Sequence, residues 1–169
     1  MKIQVGGLSE GIHEYEFEVA PEELNLGESF SGSVLVKASL DKSVHQIALQ
    51  AAISSTGHFA CDRCVREFDL PIKTSYRMFY VMEGNEEEAI DPTEMQVIPH
   101  GVSTINLSDD VRQTVVIGIP LKLLCTPDCR GLCPECGKDR NAEQCSCSST
   151  IVDSRWEGLE QLRRNETRD

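Results

Sequence analysis

The chain has 169 residues, a formal net charge of −12 and eight cysteines, enough length for one domain with a core plus a small appendage. No apolar run approaches the roughly 20 residues that span a bilayer, so an integral membrane protein is not expected. Residues 1–120 carry 8 Lys/Arg against 19 Asp/Glu, whereas residues 121–169 carry 8 against 9. A body this acidic disfavours non-specific wrapping of nucleic acid and suits a basic protein partner.

The opening MKIQVGGLSEGIHEYEFEV has one early Lys and then acidic residues, and reads neither as a secretory signal nor as an Arg-rich transit peptide. A cytoplasmic location follows as the expectation. There thiols stay reduced, which favours metal over disulfides. In HEYEFEV, His13, Tyr15, Phe17 and Val19 alternate with three glutamates, the pattern of a half-buried strand. FSGSVLV (30–36) predicts a second strand, and His45, Ile47, Leu49, Ala51 and Ile53 share a face of a third. In FDLPIKTSYRMFYVM a fourth strand places Phe68, Leu70, Ile72, Tyr76, Met78, Tyr80 and Met82 on one face. Short connections between these runs predict an antiparallel meander or a small barrel.

Residues 83–94 are too acidic for core and predict a solvated loop. A short strand is expected around Gln96–Ile98. Ser108 is a candidate N-cap, with Asp109 and Asp110 in the first turn and Val111, Val115 and Ile119 as an apolar stripe on a helix at about 108–119. In the tail, Asp153 is a second candidate cap before Trp156, Leu159 and Leu162, spaced for a short amphipathic helix. The fold class is therefore α+β, mainly antiparallel β, with one or two short helices. Its expected parts are a body at 1–120, a cysteine-rich segment at 121–150 and a tail helix at 151–169.

Six of the eight cysteines fall in the 23 residues 125–147. Besides cysteine, residues 125–150 contain only two apolar side chains, Leu132 and Ala142. These cannot offset the ordering of such a segment at roughly 1–2 kcal/mol of backbone entropy per residue. Structural Zn2+ contributes on the order of 10–16 kcal/mol in small peptides and can take over the role of a core. Cys133-Pro-Glu-Cys136-Gly137 has the form of a zinc knuckle, and Cys145-Ser-Cys147 can complete a tetrahedral site. Cys61, Cys64, Cys125 and Cys129 are left as a second set, which would clamp the tail to the sheet. Two alternatives stay open: the two CxxC pairs could share one ion, or His58 could replace a thiolate.

Competing chemistries fit less well. Cys129-x3-Cys133-x2-Cys136 matches the cluster motif of radical S-adenosylmethionine enzymes, but only 33 residues follow it, too few for their barrel. Cys61-x2-Cys64 lies between predicted strands, whereas a thioredoxin-like pair opens a helix. No H-x-E with P-C-x-x-C is present, which disfavours a zinc deaminase. No triad or phosphate loop emerges, so neither an enzyme nor a small-molecule substrate is expected.

CDRC followed by strand, then SDDVRQTVVIGIPLKLLC, CRGLCPECGKDRN, CSC and DSRWEGLEQL together resemble the YceD family. These are the large ribosomal RNA subunit accumulation proteins of bacteria and plastids, and the likeness runs from about residue 10 to 163. The resemblance implies a non-enzymatic role in accumulation or processing of 23S ribosomal RNA during large-subunit assembly. The leading expectation is a zinc-stabilised factor that holds a basic large-subunit ribosomal protein or a pre-ribosomal particle. A second is a zinc-module binder of RNA or DNA, with Arg130, Lys138, Arg140, Arg155, Arg163 and Arg164 as candidate RNA contacts. A third is a thiol-redox or metal-storage protein.

Overall fold

The computed structural model describes residues 1–84 and 94–147. Most of the acidic loop expected at 83–94 and all of the tail helix expected at 151–169 lie outside them, together with Arg155, Arg163 and Arg164. Contacts divide the chain into two compact units. Met1–Cys61 with Arg66–Cys125 forms one, and Asp62–Val65 with the residues from Thr126 onward forms the other.

Among the described residues, the larger unit holds seven strands and one α-helix: β1 (Lys2–Gln4), β2 (Gly11–Val19), β3 (Val34–Lys42), β4 (Gln46–Ala60), β5 (Glu67–Met82), β6 (Met95–Ile98), β7 (Thr104–Asn106) and α1 (Ser108–Ile117). Strands β2 to β5 pair antiparallel in chain order, and β6 adds parallel to the end of β5. Among the described residues the sheet is an open meander rather than a barrel, because β2 and β6 are not neighbours. Five strands ending in one of four residues do not close. The apolar face is instead covered by α1, which packs against β4, β5 and a 3-10 helix at Pro21–Leu24.

Alternation places the core. β3 buries Val34, Val36, Ala38 and Leu40, and β4 buries Ile47, Leu49, Ala51 and Ile53. Val111 and Val115 of α1 close over them together with Leu24, Leu26 and Leu107. Strand β3 starts at Val34 and not at Phe30, because Gly32 turns the chain with φ 82°. Phe30 still bridges Gly57, and its ring meets Phe59 edge-on at 6.1 Å.

Ser108 is the first helical residue rather than the cap. Leu107 holds the cap position, the Ser108 N–H donates to Asn106 Oδ1 (3.2 Å), and the Ser108 hydroxyl accepts from the Met1 amino group (2.6 Å). The helix ends at Ile117, so Ile119 falls beyond it. Two short strands carried no periodic signal: β1 and β7 form a separate antiparallel pair, Lys2 opposite Asn106. None of the helices among the described residues is long and apolar enough to cross a membrane.

Candidate metal centres

Strand β4 pairs with β3 only as far as Ser54, but continues with β5 as a two-stranded arm to Ala60 opposite Glu67. The arm turns through Cys61-Asp-Arg-Cys64-Val65-Arg66. Its turn is closed by the Cys61 N–H donating to Arg66 O at 2.9 Å. Val65 adopts φ 59° there, a conformation costly for a β-branched residue.

The second knuckle repeats this backbone. Cys133 N–H donates to Lys138 O (2.8 Å), Gly137 N–H donates to Cys133 O (2.9 Å), and Gly137 takes φ 73°. In both turns the residue after the second cysteine is left-handed. Only Gly137 suits that conformation without strain.

The four sulfurs of Cys133, Cys136, Cys145 and Cys147 lie within 4.8 Å of one another, and so do those of Cys61, Cys64, Cys125 and Cys129. None of the eight is in a disulfide. Four thiolates around one Zn2+ at about 2.3 Å stand about 3.8 Å apart, so both sets are sized for a tetrahedral soft metal. The two CxxC pairs are thus divided between the sets. His58 belongs to neither: its Nδ1 faces Asp69 Oδ1 at 2.8 Å and its Nε2 faces Glu67 at 3.5 Å. Those carboxylates, Asp69 first, raise its pKa above the ordinary 6.5.

Electrostatics in the first set favour a cation. Backbone N–H groups of Cys136 and then Glu135 lower the Cys133 thiol to about 6. Its hydrogen bond with Cys133 pushes the Cys145 thiol up, and hydrogen bonding with Cys136 pushes Cys147 up to about 12. One thiol ionises readily while its neighbours resist adding more negative charge. A divalent ion removes that conflict, with release of the remaining protons.

Polar groups organise the loops of the smaller unit. Arg63 Nη1 donates to Cys129 O (2.6 Å), and Leu132 N–H donates to Arg63 O (3.0 Å). Gly131 has φ 71°, and a Cβ there would lie 2.8 Å from Arg63 O, so the approach requires glycine. Asn141 accepts from Arg130 N–H (2.8 Å) and donates from Nδ2 to Cys129 Sγ (3.4 Å). Nothing in the stretch KDRN marks that asparagine as a partner of sulfur, and sequence reasoning missed it. Of the candidate RNA contacts, Lys138 is paired with Glu143 at 3.3 Å. Arg130 and Arg140 line a cleft of about 260 Å3 together with Cys133, Glu135, Cys145 and Cys147.

A family model described as Large ribosomal RNA subunit accumulation protein YceD matches residues 49–163, more than half of the chain and all eight cysteines. The chain belongs to the YceD family. Among curated proteins, the Large ribosomal RNA subunit accumulation protein YCED homolog 1, chloroplastic, of Arabidopsis thaliana is 30% identical over 74 residues, 44% of this chain and 23% of that relative. The match therefore spans about a quarter of the relative's length. No solved structure matches. The YceD family is named for accumulation of the large ribosomal RNA subunit rather than for a reaction.

Proposed function

We propose that this chain is a zinc-stabilised, non-enzymatic factor of the cytoplasm that supports accumulation or processing of 23S ribosomal RNA by holding a basic large-subunit ribosomal protein or a pre-ribosomal particle. Family membership is the observation that carries the process. Zn2+ is supported by two all-thiol sets of four, a donor composition typical of closed structural sites rather than open catalytic ones. Each filled four-thiolate site adds a formal −2, so metal keeps the protein acidic. Acidity supports a basic protein partner: with 8 Lys/Arg against 19 Asp/Glu in residues 1–120, phosphate is repelled and a Lys/Arg-rich surface attracted.

Direct RNA contact is a second reading, favoured by the Arg130 and Arg140 cleft. Affinity capture from extract, with and without nuclease, separates the two. The proposed function predicts a basic large-subunit ribosomal protein that survives nuclease treatment. Capture of RNA alone, lost with nuclease, would overturn the protein-holding reading.

A further inference from the structure

Among the described residues, strand β2 is the outermost strand of its sheet and pairs on one side only, with β3, in unbroken one-to-one register from Gly11 opposite Lys42 to Val19 opposite Val34. Among the described residues no backbone hydrogen bond joins its outer edge. Exposed strand edges are ordinarily blunted by proline, a bulge, shortness or charged side chains, and of these β2 carries only charge. The free edge of β5 follows that rule, carrying Pro71 in the stretch beyond the reach of β6. Strand β2 has nine residues, no proline and no bulge.

Its side chains specify what could add there. Glu14, Glu16 and Glu18 are exposed on one face, about 7 Å apart by strand geometry. Glu16 is held by Lys37 at 2.8 Å, and Glu18 accepts the Ser33 hydroxyl at 2.6 Å, so the row is ordered. On the other face Tyr15, Phe17 and Val19 are only half buried against the core, with the Tyr15 and Phe17 rings stacked at 6.3 Å. A second copy of this chain would set one glutamate row against another, which like-charge pairing disfavours.

We infer that the outer edge of β2 is a docking site for an extended segment of a partner protein with Lys or Arg at alternate positions and aliphatic residues between them. The segment adds as a sixth strand. Its backbone pairs with β2, its cations face Glu14, Glu16 and Glu18, and its aliphatic residues extend the face of Tyr15 and Phe17. This inference rests on the proposed basic protein partner and names where that partner binds.

The test uses the full chain loaded with zinc and a nine-residue, end-capped peptide of alternating Lys and Val. Binding is followed by fluorescence anisotropy and by hydrogen exchange. Two further peptides are N-methylated on the backbone, one at every Lys and the other at every Val. Alternate N–H groups point to opposite edges, so one methylated peptide should bind at least tenfold more weakly while the other keeps its affinity. Bound parent peptide should protect the amides of β2. Glu14→Gln/Glu16→Gln/Glu18→Gln should weaken it at least tenfold. No binding, equal binding by both methylated peptides, or equal binding by a sequence-scrambled peptide would overturn the inference. If capture from extract still returns a basic ribosomal protein, the edge assignment alone fails; if capture returns none, the proposed function fails as well.

Discussion

Val65 and Gly137 stand at the same place in two turns closed by the same bond, from the first cysteine's N–H to the carbonyl five residues on, yet one is β-branched and the other is glycine. A left-handed non-glycine residue costs roughly 1–3 kcal/mol, partly recovered as lower unfolded-state entropy. Val65→Gly should therefore stabilise the fold by about 1 kcal/mol. Thermal unfolding of the metal-loaded protein checks this, and an unchanged or lower midpoint would show that the surrounding structure absorbs the strain. Gly137→Val should act in the opposite direction and weaken metal retention against a chelator. At His58 the Asp69 and Glu67 carboxylates favour the imidazolium. A pKa raised above 6.5 contributes stability that is full below the unfolded value and disappears as pH rises through the folded one. An NMR titration should place His58 above 6.5, and Asp69→Asn should bring it down. No change in that variant would remove Asp69 as the cause.

At the scale of elements, the long strands were legible where apolar and polar residues alternate in them, as from Glu14 to Val19 with no interruption. Three-residue strands such as β1 and β7 contain too little sequence for a period, and their pairing joins residues about 100 positions apart. The parallel placement of β6 is equally non-local. The cap of α1 misled for a different reason: the Ser108 hydroxyl bonds the Met1 amino group instead of its own helix. Lack of a core in residues 125–150 was visible in composition, but the partition of thiols depends on how two distant turns fold. Metal dependence gives an element-level prediction. Cys133→Ser should leave β3, β4 and β5 protected from hydrogen exchange, since they have their own buried apolar face. Residues 126–147 should lose protection in the same variant, because zinc contributes on the order of 10–16 kcal/mol that their two apolar side chains cannot replace. A uniform rise across both regions would contradict that division.

For the whole molecule, charge and metal carry the account. Native mass spectrometry of anaerobically purified protein should find two zinc ions per chain, one for each set of four sulfurs. A brown protein with an iron EPR signal would contradict the assignment. Composition announced the acidic body, whereas only the fold shows where its acid is ordered, in the row on β2. That row and the name of the family support the central claim of the proposed function, that the protein acts by holding a basic protein. Attraction of this kind weakens with salt, so association should slow as ionic strength rises. Crosslinking in living cells, with both peptide and RNA adducts mapped, tests the claim most directly. The expected result is that adducts from the strand body lead to a Lys/Arg-rich large-subunit ribosomal protein, with RNA adducts confined to the neighbourhood of Arg130 and Arg140. Dominant adducts between protein-free RNA and the strand body would contradict it.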